Sequence, residues 1–109
     1  MDVEPFNCMI TETSGGTVLV RVAGDVDMAT GPTLAETLEQ AFEIGGSVVI
    51  IDITNVHFMD SSGLTVLVQA QKRADTDSTL LILRGAQPRV TAVLELTGTA
   101  SLFRVDPAE

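Results

Sequence analysis

The chain has no tryptophan, no tyrosine and only four phenylalanines in 109 residues. Its core must therefore be built from aliphatic side chains. A single cysteine, Cys8, rules out an internal disulfide. That fits a reducing cytoplasm, with Cys8 as an apolar residue buried on the first strand. Bases are scarce: six Lys and Arg face fifteen Asp and Glu, for a formal net charge of −9. The shortage falls on residues 1–60, where Arg21 is the one base among ten acids. Nucleic-acid affinity comes from Lys and Arg on phosphate, so a nucleic-acid partner is excluded, whereas a basic protein partner is favoured. No apolar run approaches the roughly 18 residues of a membrane span. The N-terminus, MDVEPFNCMI, is acidic and does not read as a signal peptide. With one histidine and one cysteine, Asp25, Asp27 and Asp60 would have to hold any metal unaided, so none is expected. No glycine-rich phosphate loop is present, and no cofactor is expected.

Apolar residues make up 45% of the chain, enough for one folded domain over residues 1–109 with its core at about 5–105. A domain of this kind is expected as a monomer or weak dimer. Phe6–Thr11 reads as a first strand, Ser14-Gly15-Gly16 as a turn, and Thr17–Ala23 as a second strand, forming a hairpin. Gly24 is expected to break that strand. Thr30-Gly31-Pro32 starts a helix whose inner face is Leu34, Leu38, Ala41 and Phe42, and Gly45-Gly46 ends it. Val48–Ile53 is apolar on both faces apart from Asp52, as in a covered parallel strand. A loop over residues 54–60 is expected next. A second helix then spans about Ser62–Ala74, with Leu64, Leu67 and Val68 inward. Thr79–Leu83 is a further strand, Pro88 opens a third helix, and Leu102–Val105 is a short last strand.

This order, β-β-α-β-α-β-α-β, predicts an α/β fold: a small mixed, mostly parallel sheet with an N-terminal antiparallel hairpin and helices packed against it. If the second and third strands are neighbours, the loops leaving them lie side by side. Asp25 or Asp27 should then come close to Ser61.

The most telling stretch is VVIIDITNVHFMDSSGL, residues 48–64. It runs from an apolar strand through Asp60-Ser61-Ser62-Gly63 into a helix. Helix capping alone would account for one polar side chain there, but three stand in a row. A helix N-terminus also favours negative charge, so a serine there can carry a phosphate. Gly63 costs up to about 1 kcal/mol in a first helical turn, and a glycine beside a serine lets another chain come close. Val66 and Ala70 fall on the face away from Leu64 and extend such a patch along the helix. A Ser61–His57 hydrolase is disfavoured, because the glycine two residues before the serine of a nucleophile elbow is missing. A phospho-aspartate switch at Asp52 lacks the lysine and the acidic pair it needs. The chain is not read as an enzyme, and no catalytic residue is assigned.

The segment Asn55-Val56-His57-Phe58-Met59-Asp60-Ser61-Ser62-Gly63-Leu64 resembles the signature of the anti-sigma factor antagonists of the STAS domain family. Gly24-Asp25-Val26-Asp27 resembles that family's second motif. The resemblance implies the mixed sheet backed by helices described above. It also implies partner switching: the unmodified protein binds an anti-sigma factor that is a serine kinase and so frees a sigma factor. Phosphorylation by that kinase reverses binding, and a phosphatase resets the switch. By motif position Ser61 is the phosphoacceptor. Asp25, Asp27, Asp60, Ser61, Ser62, Gly63 and Val66 frame the partner surface. The family also implies rival roles, as a module binding a nucleotide or small ligand, or as an accessory subunit of a transporter or stress-signalling complex.

Overall fold

The computed structural model describes residues 5–12 and 15–109. Strand β1 (Asn7–Glu12) leads into β2 (Thr17–Val26), and α1 (Gly31–Ile44) crosses to β3 (Val48–Met59). Helix α2 (Ser61–Asp77), β4 (Leu80–Arg84), α3 (Pro88–Leu96), a 3-10 turn at Ala100–Leu102 and β5 (Arg104–Asp106) complete the chain. The five strands lie in the order β1-β2-β3-β4-β5. β1 pairs antiparallel with β2, and every other pair is parallel. The expected hairpin, crossovers and mixed sheet are all present. Of the expected turn, Ser14 lies outside the described residues.

The helices cover one face of the sheet. Val18, Val20 and Val22 of β2, Val49, Ile51 and Ile53 of β3, and Leu81 and Leu83 of β4 pack with Leu34, Leu38, Leu64, Leu67, Val90 and Leu94 of the helices. Each such aliphatic side chain contributes about 1.5–3 kcal/mol when fully buried. The opposite face carries Leu19, Ile50 and Ile82 beside Arg21, Asp52 and Arg84, by the two-residue alternation of strands. Val48–Ile53 is thus fully buried on one face and half-buried on the other, where the apolar run suggests burial on both.

Two strands run further than the sequence implies. Gly24 does not end β2, which continues to Val26 with Gly24 at φ 93°. Residues 54–59 are not a loop but the second half of β3. The cause is a pair of register shifts between β2 and β3: Arg21 pairs with Asp52, Ala23 with Asn55, and Asp25 with Phe58. Each shift adds one residue to β3, the mark of a β-bulge. Buried positions on β3 accordingly run 49, 51, 53 and then 56, 59. Asp52 ties down the first bulge, its carboxylate accepting from the Thr54 N–H at 3.0 Å and the Thr54 hydroxyl at 2.7 Å.

Candidate functional site

β3 delivers Asp60 and Ser61 to the sheet's carboxyl end, next to the end of β2. Val26 pairs with Met59, and the Asp60 N–H donates to the Val26 carbonyl at 3.2 Å. The two loops therefore meet, as the crossover topology requires. Gly31 brings α1 to the same place. A Cβ there would lie 3.6 Å from Val66 Cγ2 and 3.9 Å from the Ser62 carbonyl oxygen.

Asp60 is the helix cap. Its carboxylate accepts from the N–H groups of Ser62 at 2.8 Å and Gly63 at 3.3 Å. The helix begins at Ser61, not at Ser62, and neither serine caps it. Ser61 is exposed, and its hydroxyl makes no hydrogen bond to any described residue; its carbonyl accepts from the Thr65 hydroxyl at 2.9 Å. Ser62 is half-buried. The helix start is thus partly neutralised by Asp60 before any phosphate arrives.

Asp27 does not bond Ser61 either. Its carboxylate accepts from Ala29 N–H at 2.9 Å, Thr30 N–H at 3.1 Å and the Thr30 hydroxyl at 3.2 Å. The Thr30 hydroxyl donates to the Asp25 carbonyl at 2.8 Å. Asp27 therefore shapes the turn that launches α1, as aspartates commonly do in turns. Asp25 is half-buried and sits opposite Phe58 on β3.

Gly63 is buried and faces inward. A Cβ on it would stand 2.7 Å from both Met59 Cγ and Val26 Cγ1. Glycine is needed so that the first turn of α2 can press onto the ends of β2 and β3. Val66 is half-buried and Ala70 is buried, because α2 packs beside α1 as well as on the sheet. Both line a groove of about 240 Å³ between these helices, with Ala35, Leu38 and Phe42. Arg73 also lines it. It bonds Asp77 at 2.8 Å and Glu39 at 3.0 Å, and lies 5.5 Å from the centre of the Phe42 ring. Hydrogen bonding to Asp77, more than to Glu39, raises the guanidinium pKa above its ordinary value.

Two residues at this end of the sheet escaped the sequence reading. Met28 is 79% exposed and Phe58 is 45% exposed. Both are large apolar side chains in stretches that otherwise read as polar loop, and that mismatch was the available signal. His57 lies beside Gln87, Pro88 and Arg89 at the start of α3. No cluster of metal-ligating side chains occurs among the described residues, and none of their helices is long and apolar enough to cross a membrane.

The STAS domain family model matches residues 9–109, so the chain belongs to the STAS domain family. Among curated proteins it is 36% identical over 88 residues to an anti-sigma-B factor antagonist of Listeria monocytogenes, covering 81% of this chain and 77% of that one. It is 31% identical over 87 residues to an anti-sigma-B factor antagonist of Staphylococcus aureus, covering 80% and 81% respectively. Among solved structures, an anti-sigma factor antagonist from Mycobacterium paratuberculosis superposes with a TM-score of 0.85 at 22% identity, over 95% of this chain and 87% of that one. These relatives are named as regulators.

Proposed function

We propose that the protein is an anti-sigma factor antagonist acting in the cytoplasm through a phosphorylation-gated contact. The unmodified chain binds an anti-sigma factor that is also a serine kinase, and so releases a sigma factor. The kinase phosphorylates Ser61 and the complex parts. A phosphatase restores the hydroxyl. The observation that carries this reading is the separation of roles at Asp60-Ser61. Because Asp60 already caps α2, the exposed Ser61 hydroxyl has no structural duty among the described residues. Its neighbours supply a mixed docking surface: Met28 and Phe58 as apolar contacts, Asp25 and the α1 acids as complements to a basic partner, and Ser62 and Val66 along α2. Asp27, Asp60 and Gly63 act from behind that surface by holding its two loops in place.

A nucleotide-binding role finds less support. The α1–α2 groove is bordered by Glu36 and Glu39, whose charge opposes phosphates.

The test is a binding titration against a purified anti-sigma factor kinase, with and without ATP, combined with phosphopeptide mapping. Ser61→Ala should bind, accept no phosphate and stay bound when ATP is added. Ser61→Asp should bind poorly, since an unpaired charge buried at an interface costs about 2–5 kcal/mol. Phosphate found on Ser62, or binding indifferent to both Ser61 variants, would overturn the assignment.

A further inference from the structure

We infer that the outer edge of β1, together with the side of α1 above it, is a contact through which two copies of this chain join edge to edge into one continuous sheet. The inference is independent of Ser61, which lies at the sheet's carboxyl end, beyond β3.

β1 is the last strand on its side of the sheet. It pairs with β2 in unbroken register, and its other edge makes no backbone hydrogen bond to any described residue. An open edge is a template for a further strand, and proteins commonly blunt one with charge, proline, a bulge or brevity. The opposite edge of the sheet is blunted in that way: β5 has three residues, Arg104 and Asp106 among them, and Pro107 follows. Residues 7–11 of β1 carry no charge, no proline and no bulge. Phe6, Cys8 and Ile10 pack on the core yet stay half-buried, and Met9 is 56% exposed on the other face.

Helix α1 carries a matching strip. Thr33, Thr37, Gln40 and Ile44 recur at intervals of four, three and four residues, so they share one side of the helix. The Thr37 hydroxyl lies 3.1 Å from Cys8 Sγ, which sets that side over β1. The strip holds no charge. Thr33 and Gln40 are exposed, and Ile44 is 44% exposed. The acids of α1, Glu36, Glu39 and Glu43, fall about 100° around the helix from it. Two of them, Glu36 and Glu39, border the groove beside α2. With a net charge of −9, the chain repels a second copy over most of its surface. The neutral edge and the neutral strip lie side by side, and there a second copy can approach.

The contact closes under a two-fold axis perpendicular to the sheet. Directly opposed antiparallel residues point to the same face, so odd residues meet odd ones and the axis must pass beside a single residue. Met9 centres the uncharged segment: Met9 faces Met9, Asn7 faces Thr11, and Cys8 faces Ile10. Such an axis keeps the helices of both copies on one face. Helix α1 lies over β1 and β2. With strands about 4.8 Å apart, the two copies of α1 then stand about 10 Å apart, the spacing of packed helices.

The contact is small. Five strand residues and four helix residues a side compare with about 20–30 in a standard interface, so the dissociation constant is on the order of 100 μM.

Sedimentation equilibrium of the purified chain from about 10 μM to 1 mM tests this. The wild type should pass from monomer to dimer across that range. Met9→Lys puts two like charges on the axis and should weaken association about tenfold, with circular dichroism showing the variant folded. Disulfide trapping tests the register, in a Cys8→Ala background with oxidised glutathione. Met9→Cys should give a covalent dimer, because directly opposed residues lie about 4.5–5.5 Å apart, within disulfide reach. Asn7→Cys and Thr11→Cys should each stay largely monomeric alone and cross-link when mixed. Ser61→Asp should dimerise as the wild type does, which separates this contact from the proposed switch. A wild type that stays monomeric at 1 mM, or Asn7→Cys cross-linking alone as readily as Met9→Cys, overturns the inference.

Discussion

Asp60 accepts the backbone N–H groups of Ser62 and Gly63, so replacing it with alanine leaves two donors unmet at the start of α2. Asp60→Ala should cost about 1 kcal/mol, within the 0.5–2 range of lost caps. Ser62→Ala removes a half-buried hydroxyl with no bond to a described residue, and should change stability by less than about 0.5 kcal/mol. Urea denaturation of both variants checks the pair. If Ser62→Ala costs as much as Asp60→Ala, the cap lies elsewhere than the geometry places it. At this scale the motif was legible as a cluster of polar residues at a helix start. The division of labour within it was not, because Asp, Ser and Ser are all competent caps and only backbone geometry chooses among them.

Helix α2 owes its seat to the absence of a side chain at Gly63. Gly63→Ala would gain about 1 kcal/mol of helix propensity. Against that, a Cβ would stand 2.7 Å from Val26 Cγ1, on a β-branched side chain that has little freedom to turn away. Overpacking of this kind typically costs about 1–3 kcal/mol. A net loss of stability by thermal melting is expected, and a stabilised variant would mean that the first turn of α2 is looser than described. Strand β3 teaches a related lesson. Its inward positions change period after Ile53, from 49, 51, 53 to 56, 59. A period-two reading stops where the bulges begin, and so assigns residues 54–59 to a loop. The bulges need β2 beside β3 to exist at all, since a register shift is a property of a pair of strands.

For the molecule as a whole, a phosphate on Ser61 adds a charge of about −1.5 to −2 next to the Asp60 carboxylate. Two of the helix's N–H groups are already taken by Asp60, so the phosphate finds less compensation than an uncapped helix would offer. The fold should persist, because the aliphatic core under α2 does not involve the exposed Ser61 side chain. Far-UV circular dichroism of the modified and unmodified forms should superimpose. A repulsion of about 1 kcal/mol would lower the melting temperature by about 4–8 °C in a domain of this size. Loss of helix signal on phosphorylation would point instead to a switch that works by unfolding.

Element order, the parallel crossovers, the meeting of the two loops and the position of Ser61 at a helix start were all readable from residue pattern. Each rests on short-range physics: apolar periodicity, glycine and proline at helix ends, and the handedness of strand–helix–strand units. Other features arose only once strands and helices were set side by side. The inward role of Gly63 against Val26, and the turn away from solvent of Val66 and Ala70 toward α1, depend on neighbours distant in sequence. A residue's spacing along the chain says which neighbours it has on its own element, but register and packing between elements decide what its side chain meets.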